Sequence, residues 1–204
     1  MGKRGGQKLG VGVSGAQPPA PKGVTDEMYS EIQYSAYKSS AYSTNEANTI
    51  HSYTNMGYNI NTAIYKNTLT QEDKAYIRNL NASLDTLPAY KSKEPLYRGY
   101  NDYKQDFKNV AAGDEFTLHT FTSTSRSEKK AQQFTPYGEA GVVFVMNKHK
   151  SGRDIEQFSM YGVYAASSEQ EVLFKTETKW KVKEVKMVDL GEAGMKKYIV
   201  IDEV

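Results

Sequence analysis

The chain has 204 residues, 38% apolar and 25% charged, with sixteen tyrosines and a formal charge of +2. That length suits one domain with a tail, and the charge is too small to argue for nucleic acid as a partner. The absence of cysteine excludes a disulfide framework and thiolate chemistry, and no apolar run matches a membrane span or a secretory signal, so cytoplasmic residence, or delivery by a signal-less route, is expected.

Residues 1–23 hold Lys3, Arg4, Lys8 and Lys22, no acid, seven glycines and three prolines. Such a stretch cannot bury enough apolar surface to order itself and reads as a flexible basic tail. Within it Gly10-Val11-Gly12-Val13-Ser14-Gly15 matches a dinucleotide-binding glycine pattern. That pattern works only between a strand and a helix; here no strand precedes it, and Pro18, Pro19 and Pro21 follow, so it is rejected. Gly6 stands where N-myristoylation wants Ser or Thr.

From 25 to about 67 the pattern is helical. Thr25 caps a helix carrying Tyr29, Ile32, Ala36 and Tyr37 on one side, and Ser43 with Glu46 forms a capping box for the next, which Gly57 is expected to break. Thr70 followed by Asp73 opens a third helix, with Ala75, Ile77, Leu80, Leu84 and Leu87 as its apolar stripe and Pro88 as its stop.

After Pro95 the texture changes to strands, predicted at 96–100, 115–118, 120–125, 141–147, 170–176, 179–188 and 197–204. One helix interrupts them. Ser125 with Glu128 is its predicted capping box, Ala131 and Phe134 its inward face, and Pro136 and Gly138 its end. A turn around Gly191 and Gly194 pairs the last two strands antiparallel, and Trp180 is assigned to the core. Helices followed by strands describe an α+β domain over 24–204, mainly helical over 24–92 and mainly β over 93–204.

His51, His119 and His149 have no ligand spacing, so no metal is expected. Ser127 and Lys130 fit a Ser-x-x-Lys pattern whose companion motifs are missing. Glu169 and Glu171 need more explanation. On a strand through 170–176 they stand on one face about 7 Å apart. Like charges that close call for a cation, a donor or a reaction, although solvated acids at a strand mouth are the plainer alternative. Paired carboxylates also suit glycosidic cleavage, where the carbon left behind develops positive charge.

Leu96-Tyr97-Arg98-Gly99, Phe121-Thr122-Ser123-Thr124-Ser125 and Glu169-Gln170-Glu171 follow one another in sequence order. This order resembles the arginine, serine, glutamate signature of the mono-ADP-ribosyltransferases, whose core is a split β-sheet. The likeness extends to Gly113-Asp114-Glu115-Phe116, Ser151-Gly152-Arg153-Asp154-Ile155 and Glu171-Val172-Leu173-Phe174, and to Tyr53-Thr54, Gly57-Tyr58 and Ile60-Asn61 in the helical part. It covers about 25 to 204.

The resemblance implies an α+β, split-sheet core with an N-terminal helical layer, and NAD as co-substrate. Arg98 offers a planar fork of donors to a pyrophosphate, or a strand-end salt bridge to an acid. Gly99 lets the backbone approach nicotinamide, or forms a bulge. Ser123 would hold Glu171 by a hydrogen bond, with Thr124 and Ser125 left to sheet packing and capping. Glu171 is implied as the catalytic carboxylate, and Glu169 as the acid that aligns and deprotonates an arginine acceptor. Tyr164, or Tyr161, would meet the target protein. Arg153 reaches the cofactor phosphates or ties a turn. The expected protein is a monomeric, bacterial or phage-encoded arginine transferase acting on a host protein. An NAD glycohydrolase and an inactive or virion-associated binding module are its rivals.

Overall fold

The computed structural model describes residues 44–136, 141–159, 161–162 and 168–204. The basic tail, the predicted first helix with Thr25, Tyr29, Ile32, Ala36 and Tyr37, the cap residue Ser43, and Gly138 and Tyr164 lie outside them. In chain order the elements are α1 (Thr44–Lys66), α2 (Gln71–Asp85), β1 (Leu96–Asn101), β2 (Glu115–Leu118), β3 (Thr122–Ser125), α3 (Glu128–Gln133), β4 (Gly141–Lys148), β5 (Arg153–Asp154), β6 (Glu171–Phe174), β7 (Thr178–Asp189) and β8 (Met195–Glu203). Short 3-10 turns lie at Glu156–Phe158 and Gly191–Ala193. The architecture is α+β. The described residues fall into two compact units, 44–88 with 153–169 and 89–152 with 170–204.

In the first unit α1 buries Ala47, Ile50, Tyr53 and Ile60. The break expected at Gly57 does not occur: α1 runs on to Lys66. A mid-helix glycine costs only about 1 kcal/mol against alanine, and here its missing side chain makes room for the Tyr53 ring, whose Cζ would lie 2.9 Å from an added Cβ. The helix stops instead at Asn67, which takes the left-handed conformation (φ 53). Its N–H reaches Ile64 O and the N–H of Thr68 reaches Ala63 O, so two of the last carbonyls are satisfied.

The capping box of Thr70 and Asp73 opens α2 as its sequence predicts, and the hydrogen bonds that the Thr70 N–H and then its hydroxyl donate to the Asp73 carboxyl hold that group below its usual range. The helix buries Leu80 and Leu84 and ends at Asp85, so Leu87 reaches its buried place from the following turn. Tyr76 ties α2 to α1 through its hydroxyl, which donates to Thr49 O at 3.0 Å; burial, then Tyr53, pushes its phenol pKa well up.

In the second unit seven strands form a mixed sheet in the order β2-β7-β8-β4-β1-β3-β6. β4 and β8 are parallel, and the other neighbours antiparallel, including the expected β7–β8 pair. Its core gathers Leu96, Phe144, Val172, Phe174, Trp180 and Ile199 among others, with the Trp180 ring edge-on to Phe174 at 5.2 Å. The sheet loosens at one joint. β1 pairs with β4 through six residue pairs but with β3 through Tyr97 and Ser125 alone. Against β1 packs α3, capped by Ser127, not Ser125: the Ser127 hydroxyl accepts from the N–H of Lys130, while Ser125 Oγ accepts from the N–H of Ser127. Phe134 is 56% exposed, against expectation, because it follows the last helical turn; Ala131 is buried as predicted.

Candidate active site

Three strands of the second unit carry the motif residues. Arg98 and Gly99 come from β1, Ser123 and Ser125 from β3, and Glu171 opens β6. The β3–β6 register sets Ser125 opposite Glu171 and Ser123 opposite Leu173. Directly opposed residues project to one side of an antiparallel pair, so both serines share the face of Glu171. Ser125 is its direct partner, and Ser123 is a diagonal neighbour about 7–8 Å away, within reach of a glutamate side chain. Glu171 is 4% exposed and Ser125 5%. A carboxyl that deeply buried needs hydrogen-bonding company, and the serine hydroxyls on the same strand face are donors of the kind it needs. Thr124 points to the opposite side and donates from Oγ1 to Val172 O at 2.6 Å, the packing role expected of it.

Arg98 is half-buried, and its Nη1 donates to Ser123 O at 2.8 Å. The guanidinium thus bridges the strands where their ladder is reduced to one pair. Neither reading offered for Arg98 anticipated this bond. Gly99 has its own local reason. A Cβ there would lie 2.0 Å from Ala131 O and 3.0 Å from Phe134 Cβ, so α3 occupies the space a side chain would need. On the other side of Arg98, burial first, then the carboxylates of Glu128 and Glu94, raises the Tyr97 phenol pKa.

The strand does not begin where its sequence suggested. β6 starts at Glu171, and Gln170 is left-handed (φ 50), its carbonyl accepting from the N–H of Arg126 at 3.2 Å. The two-residue period that would set Glu169 beside Glu171 therefore does not extend across residue 170. A non-glycine residue in this region is strained by about 1–2 kcal/mol.

The first unit carries the other predicted site residues. Arg153 donates from Nε to Leu84 O at 3.0 Å, placing a cation at the C-terminal end of α2, where the helix dipole favours one. Tyr161 is 41% exposed, and its main-chain oxygen accepts from the N–H of half-buried Glu169 at 3.4 Å. Tyr164 lies outside the described residues. Among the described residues no group of three His, Cys, Asp or Glu is set to hold a metal ion. No helix among them is long and apolar enough to cross a membrane. Ser125 is the residue whose position opposite Glu171 sequence reasoning missed. Its signal was the two-residue spacing from Ser123, which puts both hydroxyls on one strand face, but only the register shows which stands opposite Glu171.

The model of the ADP-ribosyltransferase exoenzyme family matches residues 26–204. The chain belongs to that family. No curated protein matches it. Among solved structures, the ADP-ribosyltransferase Vis from Vibrio splendidus, in complex with agmatine, is similar at 23% identity and a TM-score of 0.63, over 92% of this chain and 88% of that one. Exoenzyme S from Pseudomonas aeruginosa, bound to human 14-3-3 protein beta and carba-NAD, is similar at 18% identity and 0.62, over 88% and 82%. C3stau2 from S. aureus, with NAD, is similar at 17% identity and 0.59, over 93% and 100%. These likenesses carry the ADP-ribosyltransferase fold. They match the α+β class.

Proposed function

We propose that this ADP-ribosyltransferase moves ADP-ribose from NAD to an arginine side chain of a target protein and releases nicotinamide. The observation that carries the reading is Glu171, buried at the head of β6 with the motif serines on its face and a second acid two residues before it. The bond between the ribose carbon and nicotinamide breaks, and its electron pair leaves with nicotinamide. The Glu171 carboxylate accepts a hydrogen bond from a ribose hydroxyl and stabilises the positive charge developing on that carbon. A guanidine nitrogen of the acceptor forms the new bond, and its proton passes to Glu169. Arg98 presents planar donors suited to the pyrophosphate. Arg153 is a second phosphate ligand, and Tyr161 and Tyr164 meet the target protein. Gly99 keeps β1 free of a side chain beside Arg98.

Two further facts support this choice of substrate and acceptor. Vis was solved with agmatine, which carries a guanidinium, and a carboxylate such as Glu169 pairs with that group bidentately. C3stau2 was solved with NAD. The transferase works as a monomer without a metal, in the cytoplasm of the producing or infected cell, where NAD is available.

The test is incubation of the purified protein with labelled NAD and either agmatine or a bacterial lysate, following free nicotinamide and transferred label. Labelled agmatine, and labelled proteins from which hydroxylamine releases the label, are expected. Nicotinamide release with no labelled acceptor would make the protein a glycohydrolase. No turnover and no NAD binding would make it an inactive module.

A further inference from the structure

Glu156 lies in the 3-10 turn Glu156–Phe158 at 3% exposure, and the transfer chemistry above does not use it. A carboxyl group taken out of water is costly unless it is well hydrogen-bonded. Oε1 of Glu156 accepts the hydroxyl of Ser168 at 2.6 Å, and Ser168, itself 5% exposed, is bonded directly to Glu169 in the chain. The main chain of the same glutamate meets the other end of this segment. A Cβ on Gly162 would come within 2.7 Å of Glu156 O and 2.8 Å of Ser159 O, so the backbone there lies flat on the turn. Ser159 Oγ accepts from the N–H of Tyr161 at 3.1 Å, and Tyr161 O accepts from the N–H of Glu169. Glu156 therefore holds Ser168–Glu169 by its side chain while its carbonyl lies against Gly162, and the main chains of Tyr161 and Glu169 hold each other.

We propose that Glu156 is a positioning residue for the acceptor side of the site. Through Ser168 it fixes the main chain of Glu169, and so the direction from which that carboxylate and Tyr161 receive a guanidinium. The catalytic consequence rests on the arginine-transferase reading; the fixing of Glu169 does not. A carboxylate that must align a nucleophile is sensitive to displacements near 1 Å, whereas cleavage at Glu171 does not depend on Glu169.

The experiment compares wild type with Ser168→Ala, Ser168→Thr, Glu156→Ala and Glu156→Gln. Three readouts are taken: agmatine modification, NAD hydrolysis without acceptor, and hydrogen exchange of the Glu169 amide. Ser168→Ala and Glu156→Ala should lower kcat/KM for agmatine roughly tenfold, chiefly through KM, and speed Glu169 exchange by about as much, with hydrolysis held within about twofold. Ser168→Thr keeps the hydroxyl and Glu156→Gln keeps an acceptor, so both should restore the two altered readouts. Unchanged exchange in Ser168→Ala would overturn the proposal. A parallel fall of transfer and hydrolysis would overturn it too, since it reports general loosening. Should Glu156→Ala not fold, Ser168→Ala decides, because it removes one oxygen. A wild type that hydrolyses NAD but leaves agmatine unmodified defeats the arginine reading alone, and exchange at Glu169 still decides the positioning.

Discussion

Arg98 Nη1 lies 2.8 Å from Ser123 O, across the joint where β1 and β3 share a single residue pair. A residue proposed to hold pyrophosphate is thus also part of what holds the serine strand to the sheet. Lysine in its place keeps the charge but loses the planar fork. Arg98→Lys is expected to lower stability by about 1–2 kcal/mol, the scale of one hydrogen bond to a charged group in a half-buried place, and to lower NAD turnover at least tenfold. Urea unfolding and nicotinamide release measure the two. Loss of turnover at full stability would confine Arg98 to the ligand; loss of stability alone would confine it to the joint.

Glu171 and Glu169 separate by substitution. Glu171→Gln keeps shape and removes charge, so transfer and hydrolysis should fall together by a factor of roughly 10² or more. Glu169→Gln should reduce arginine transfer and leave hydrolysis near wild type, because the cofactor side is untouched. Steady-state rates with and without agmatine read both. Near-normal turnover of Glu171→Gln would remove that residue from the mechanism, and equal loss of both activities in Glu169→Gln would show the roles divided wrongly.

The parts of the fold that could be read from sequence are those decided by neighbours in the chain. The capping box of Thr70 and Asp73 closes within four residues, and the β7–β8 turn is marked by Gly191 and Gly194, both at positive φ. What escaped depends on distant partners. Gly57 looked like a helix breaker because nothing in sequence shows the Tyr53 ring lying over it. Ser125 and Ser127 both suit a helix start, and only the sheet register assigns Ser125 to Glu171. β5 is two residues long, too short for any alternation to be seen. Gly99 is glycine because of Ala131, thirty-two positions away, whatever the backbone beside it binds.

That contact predicts the outcome of adding a single methyl group. In Gly99→Ala the new Cβ falls 2.0 Å from a backbone oxygen of α3, which cannot rotate aside as a side chain would. Helix or strand has to shift. Overpacking of this kind costs about 1–3 kcal/mol, and the variant should unfold at a correspondingly lower temperature. A melting temperature equal to wild type would mean that α3 is held loosely against β1.

Tyr198 predicts an alkaline limit. Its hydroxyl donates to Glu128 Oε1 and accepts from Gln132 Nε2, each at 2.8 Å, and burial is the chief cause that pushes its pKa from 10 up to about 12. Between those values the folded chain keeps a proton that the unfolded chain has lost. The associated stability is fully present below pH 10 and disappears as pH rises through 12. Tyr198→Phe lacks the titration, so its stability curve should be flatter over that window than that of wild type. Parallel curves from denaturant melts at pH 9 to 12 would show that the phenol is not shielded.

Gln170 offers the most local test of the site's geometry, because its left-handed backbone sets where β6 begins and where Glu171 enters the sheet. Glycine adopts that conformation without strain, whereas a β-branched residue is a marked outlier there. Gln170→Gly should therefore be as stable as wild type or slightly more so, relief of strain of about 1 kcal/mol being partly offset by the freer unfolded chain. Gln170→Val should lose about 1–2 kcal/mol and lower NAD hydrolysis, since the simplest escape from the strain is to extend the strand and displace Glu171. Urea melts and nicotinamide release distinguish the pair. If valine were tolerated with full hydrolysis, the left-handed turn would not be needed to deliver Glu171.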